Sequence, residues 1–329
     1  MPPPIHQQNV IALVWDFDKT LIPGFMQDPV FREYGIDDAQ FWREVNALPA
    51  HYRKAGVTVS PDNAYLNHMI TYAVHGRMPQ LTNARLRELG AGIVFYPGLP
   101  GFFPYLQGVL KEVADADKFD LRLEHYIISA GLRELVLGSA IQPYVDGVWA
   151  SEFIETPANP GFDSNAVDPP DGGPPAAPLF PMGGISQIAV AYDNTSKTRA
   201  LYEINKGSNK NPAIDVNATM RPEDRRVPFE NMIYIADGPS DVPAFSVIRE
   251  NKGTAYAVYD DESPSSLEQA DNLRRDGRVD HFGPADYRPE SSTARWLSLR
   301  VRKIAETIIG QRRDALKKNV GTAPRHLPA

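Results

Sequence analysis

Hydrophobic and polar positions along the chain fall into two textures. Residues 9–15 form a short, continuous apolar run, which predicts a fully buried strand followed by a loop at 21–24. From about residue 28 to residue 89 the spacing becomes helical, in segments at 31–34, 38–48, 61–74 and 81–89. Asp38 and the Ser60-Pro61 pair read as helix starts. A Pro/Gly-marked turn at 95–103 leads into a helix at 101–114. Short apolar runs then return at 121–128, 144–153, 188–192, 231–236 and 254–259. Helical segments at 132–138, 196–206 and 240–250 lie among them, and residues 207–228 read as polar connection.

Short apolar strands alternating with helices predict an α/β fold with a doubly wound, largely parallel, Rossmann-like sheet. Residues 1–24 and 96–290 make up the expected core, and 25–95 an inserted helical cap. Residues 156–184, centred on DPPDGGPPAAP, read as a Pro/Gly-rich insertion. Residues 291–329 read as a basic amphipathic helix and tail, docked through its apolar face. Three predicted strands end in polar residues: Asp16, Ser129 and Asp237. Ligands of such sheets sit beyond the carboxyl ends of the strands, so all three can serve one crevice.

Composition narrows the classes. The 329 residues are 42% hydrophobic, enough for a large core. A formal charge of -7 gives no reason to expect general nucleic-acid binding. With no cysteine, disulfides and thiolate chemistry are excluded. The amino terminus has no signal-peptide pattern, and no window approaches a membrane span, so a cytoplasmic protein is expected.

The candidate chemistry lies in four stretches: DFDKT (Asp16, Asp18, Lys19, Thr20), SAG (Ser129, Ala130, Gly131), SKTRAL (Lys197) and DGPSD (Asp237, Asp241). Asp16 and Asp18 are two apart, so an extended chain places them on one side. Carboxylates gathered at one site repel, and either a proton or a cation must offset the charge. A hard cation such as Mg²⁺ suits an all-oxygen set. Ser129, Ala130 and Gly131, expected where a strand gives way to a helix, offer a hydroxyl and N–H groups to a phosphate. Lys197 can neutralise a transferring phosphoryl group. Lys206, later in the same helix, is its rival. One carboxylate can then act as nucleophile and a second as general acid and base.

The four stretches, in this order, resemble the motifs of the haloacid dehalogenase-like superfamily, and most closely its phosphoserine-phosphatase-like branch. The resemblance spans residues 11–259. It implies Asp16 as the nucleophile that forms an aspartyl-phosphate and Asp18 as general acid/base. It implies Mg²⁺ held by Asp16, the Asp18 main-chain carbonyl and Asp237, with Asp241 orienting metal-bound water or ligating directly. Thr20 would support the loop, while Ser129 and Lys197 hold phosphate. The chain departs from the pattern at Ala236, where glycine is common, and at Pro239 and Ser240. A small phosphorylated metabolite is the implied substrate, and Arg53, Lys54, His68 and Arg77 are the cap residues weighed for contacting it. A phosphotransferase or phosphomutase of the same fold is one alternative. A non-catalytic phosphate-ester or metal-binding scaffold is the other.

Overall fold

The computed structural model describes residues 7–158 and 183–320. Most of the Pro/Gly-rich insertion expected at 156–184 lies outside the described residues, as does the tail from 321. In chain order the elements are β1 (Val10–Trp15), α1 (Asp28–Tyr34), α2 (Asp38–Arg53), α3 (Pro61–Val74), α4 (Asn83–Gly90), α5 (Phe102–Lys111), β2 (Arg122–Leu132), α6 (Arg133–Gly138), β3 (Gly147–Ile154), β4 (Gln187–Val190), α7 (Ser196–Lys206), β5 (Met232–Ala236), α8 (Val242–Glu250), β6 (Thr254–Tyr259), α9 (Pro264–Arg275), β7 (His281–Pro284) and α10 (Ser292–Val320). The strands form one seven-stranded sheet in the order β4-β3-β2-β1-β5-β6-β7. Every pairing is parallel except that of the edge strand β4 with β3. This is the expected doubly wound α/β architecture, and β1 sits at its centre.

Both faces of β1 are covered, which explains its unbroken apolar run. Ile11, Leu13 and Trp15 face a layer built from α5, α10 and the helices after β1. Val10, Ala12 and Val14 face α7, α8 and α9. α10 docks through Leu297, Val301, Ile304, Ala305 and Ile308, and its basic residues lie mostly outside that stripe. No helix among the described residues is long and apolar enough to cross a membrane.

The helix starts have local causes. Asp37 caps α2 by accepting from the Gln40 N–H, and Thr82 caps α4 by accepting from the Arg85 N–H. One expectation needs correction. Ala130 and Gly131 do not open a helix, because β2 runs on to Leu132 and α6 begins at Arg133. The pairing of β2 with β3 shifts register between Ile128 and Leu132, so the SAG stretch is an irregular strand end. Beyond the stretch that the resemblance spans, α9 and the edge strand β7 complete the sheet and its cover.

Candidate active site

The four stretches meet at the carboxyl edge of the sheet. Asp16 follows β1 directly, and its N–H donates to the Ile235 carbonyl of β5 at 2.9 Å. That bond carries the strand pairing one residue into the loop and sets the Asp16 side chain near the end of β5. Asp237 follows β5, and Asp241 closes the short turn before α8. Asp16, Asp237 and Asp241 each place a carboxylate oxygen within 4.8 Å of the other two.

Lys197 stands in the first turn of α7 and is only 2% exposed. Its Nζ donates to Asp16 Oδ1 at 2.8 Å and to Asp241 Oδ1 at 2.7 Å. Burial works against the ammonium charge, but Asp16 and Asp241 outweigh it and raise the lysine above its ordinary range. Lys206 goes elsewhere: its Nζ donates to the Val216 and Ala218 carbonyls, both at 2.6 Å. The two lysines share one helix but serve different ends of it.

Burial pushes the Asp16 carboxyl up to about 6, against the pull of Lys197. It pushes Asp237 up to about 7, helped by the charges of Asp16 and Asp241. Asp18 rises well above the ordinary carboxylate range through burial and the adjacent Asp16 charge. Its Oδ1 accepts the Met26 N–H at 2.9 Å, so its carboxylate turns toward the loop after DFDKT and is not one of the three clustered groups. Thr20 Oγ1 donates to Asp16 Oδ2 at 3.3 Å. Ser129 Oγ accepts the Gly131 N–H at 3.0 Å, which leaves the serine proton free to donate to a ligand.

An all-carboxylate cluster in which Asp16 and Asp237 bind protons more tightly than usual calls for more positive charge than one lysine supplies. Its donors are hard oxygens, which fit a hard divalent cation. Asp241 is the most committed of the three. Its Oδ1 accepts from Lys197 and from the Tyr234 hydroxyl at 2.5 Å, and its Oδ2 accepts from Ser240 Oγ at 2.9 Å.

Several contributors were not apparent from the sequence. Tyr234 of β5 holds Asp241. Tyr65 of α3 donates its hydroxyl to the Ala130 carbonyl at 2.6 Å, joining the helical block to the SAG loop. Met26 Sδ accepts the Leu132 N–H at 2.9 Å, and a Cβ at Gly131 would collide with the Met26 side chain. Tyr287, after β7, donates to the Thr20 carbonyl at 2.6 Å. A tyrosine inside an apolar strand needs a partner for its hydroxyl, and at Tyr234 that was the available signal. His68 is held by Glu44 at 2.7 Å, and Arg53, Lys54 and Arg77 are exposed. No ion pair among the described residues joins any of the four to the carboxylate cluster.

DFDKT, SAG, Lys197 and DGPSD are thus carried on loops around the central strand, the arrangement that the resemblance to the haloacid dehalogenase-like superfamily implies. No family model matches the chain's sequence. A protein of Borreliella burgdorferi described as uncharacterized is 34% identical over 306 residues, covering 89% of this chain and 96% of that protein, and the chain belongs to its family. Solved structures similar to it include a HAD family hydrolase of Salmonella enterica serovar Typhi, 17% identical with a TM-score of 0.46, covering 85% of this chain and 68% of that one. A probable phosphoserine phosphatase of Vibrio cholerae is 12% identical with a TM-score of 0.46, covering 94% of this chain and 68% of that one. A phospho-aspartyl intermediate analogue of phosphoserine phosphatase is 13% identical with a TM-score of 0.44, covering 83% and 93%.

Proposed function

We propose that the chain is a divalent-metal-dependent phosphomonoester hydrolase that works through an aspartyl-phosphate on Asp16. The observation that carries this is the buried Lys197 bridging Asp16 and Asp241, with Asp18 two residues beyond Asp16 and held by the Met26 N–H. A carboxylate nucleophile needs no base to activate it, but it must be ionised. The Lys197 ammonium favours that state at Asp16 against burial. Burial and the Asp16 charge raise Asp18 well above the ordinary carboxylate range, which suits a general acid.

In the first step an Asp16 oxygen bonds to phosphorus as the ester P–O bond breaks. The Asp18 proton passes to the departing alkoxide oxygen. In the second step Asp18, now a carboxylate, takes a proton from water as that water attacks phosphorus and releases Asp16. Lys197, the Ser129 hydroxyl and the N–H groups of the SAG loop would hold the phosphoryl oxygens. Asp16, Asp237 and the Asp18 main-chain carbonyl would hold the cation, Mg²⁺ in this proposal, which supplies positive charge to those oxygens. Asp241 then acts as the carboxylate that fixes Lys197. Residues 25–95 are the cap and 1–24 with 96–290 the core, with the Tyr65–Ala130 bond tying cap to core. The substrate class is a small phosphorylated metabolite.

Phosphate release from a broad set of phosphomonoesters, with Mg²⁺ and with EDTA, tests the proposal. EDTA should abolish release, and Asp16→Asn should lower it at least about 10³-fold. Unchanged turnover in Asp16→Asn would sink the mechanism. Failure to incorporate labelled water into the released phosphate would favour a transferase.

A further inference from the structure

One buried hydroxyl near the DFDKT loop meets no hydrogen-bond partner among the described residues. Tyr96 lies between α4 and α5 and is 7% exposed. Its N–H donates to the Leu21 carbonyl at 2.9 Å, which ties it to the residue directly after DFDKT. Its hydroxyl oxygen is fully buried and meets no hydrogen-bond partner among the described residues. Buried phenols normally find one. The neighbouring buried tyrosines do: Tyr65 on the Ala130 carbonyl, Tyr234 on Asp241 and Tyr287 on the Thr20 carbonyl.

The surroundings of the Tyr96 hydroxyl say what would satisfy it. Burial, and then the charges of Asp260 and Asp237, hold its proton in place, so the group remains an O–H donor within electrostatic reach of Asp237. Asp237 belongs to the carboxylate cluster suited to a hard cation. Such cations keep part of their water shell, and those waters need hydrogen-bond partners from the protein.

We propose that the Tyr96 hydroxyl completes the site by hydrogen-bonding to a water carried by the divalent cation at Asp16 and Asp237. The inference rests on the metal-dependent function proposed above and adds a residue to it. Tyr96 does not ligate the cation. It orients a ligand of the cation, and it does so from the loop that returns the chain from the helical block.

Tyr96→Phe keeps the ring and removes only the hydroxyl. Mg²⁺ is titrated calorimetrically into the metal-free full chain without substrate, for the unaltered protein, Tyr96→Phe and Asp237→Asn, and each metal-free melting temperature is recorded. The expected result is a dissociation constant raised about tenfold or more in Tyr96→Phe, the usual effect of losing a group that supports a metal ligand. Its metal-free melting temperature should be equal or higher, because an unmet buried hydroxyl is gone. An unchanged dissociation constant overturns the inference and leaves the metal site standing. Binding that survives Asp237→Asn undiminished, or no binding to the unaltered protein, overturns both.

Discussion

Two sets of buried ionisable groups sit at different depths of the same central strands. At the carboxyl edge, Asp16, Asp237 and Asp241 gather around Lys197. Deeper in β2, His125 is 1% exposed and packs against Trp15 and Phe103. Trp15 Nε1 donates to His125 Nδ1 at 3.3 Å, so the neutral ring carries its proton on Nε2. Burial alone drives His125 down to about 3, and the group is simply uncharged. The carboxylate edge suffers the same desolvation but keeps an ion in the middle of it. A fold with a lone buried ionisable group sheds its charge. One that buries a cation among converging carboxylates has retained charge where chemistry can use it.

Removing the cation is the strongest way to break this contrast. Lys197→Met leaves Asp16 and Asp241 facing each other without their shared partner, at an expected cost of about 3–5 kcal/mol at pH 7. Urea unfolding measures it. The cost should shrink at pH 5, where Asp16, at about 6, and Asp237, at about 7, take up protons that relieve the repulsion. Equal costs at the two pH values would mean the cluster is not held together by charge.

The next effect is the pH dependence of the metal-free protein. Carboxyls raised above the ordinary value of 3.8 bind protons more tightly when folded. The stability they contribute is full below about pH 4 and is lost as pH rises through about 6 to 7. His125 has the opposite sign, since its contribution is present above its ordinary 6.5 and lost as pH falls toward about 3. Mg²⁺ competes with protons only at the carboxylates. Its stabilising shift in melting temperature should therefore be larger at pH 8 than at pH 5, and a shift independent of pH would detach the ion from this cluster.

The smallest effect is at the other lysine of α7. Lys206→Met removes a donor from two main-chain carbonyls of a mostly exposed connection. About 1 kcal/mol of stability and no change in turnover are expected, checked by urea unfolding and phosphate release. A large loss of turnover would put the second lysine back among the groups that meet phosphate.

The parts of the fold that the sequence revealed were those with strong periodicity. β1, β5 and β6 are continuous apolar runs buried on both faces, and their ends were readable to within a residue. β7 was not readable, because His281–Pro284 is four residues of an edge strand containing glycine and proline. The end of β2 was misplaced because Ser129-Ala130-Gly131 has the composition of a turn, while the pairing to Ser151 resumes at Leu132. At the site, Asp16, Asp18 and Asp237 were readable because carboxylates directly after buried strands are costly without a purpose. Tyr65, Tyr96, Tyr234 and Tyr287 were not. In the sequence each is one more aromatic residue, and only the folded chain shows where a hydroxyl points.

The bond from Tyr287 to the Thr20 carbonyl also has a consequence in time. It spans 267 residues, and Gly98, at φ +91, lets the 95–103 turn press against the Tyr287 backbone where a Cβ would collide. A ribosome adds roughly 5–20 residues per second, so the DFDKT loop emerges roughly 13 to 53 s before the residue that braces it. The loop is among the first parts of the chain to be made and among the last to be fastened. Final bracing of the loop that carries Asp16 is thereby coupled to near-completion of the polypeptide.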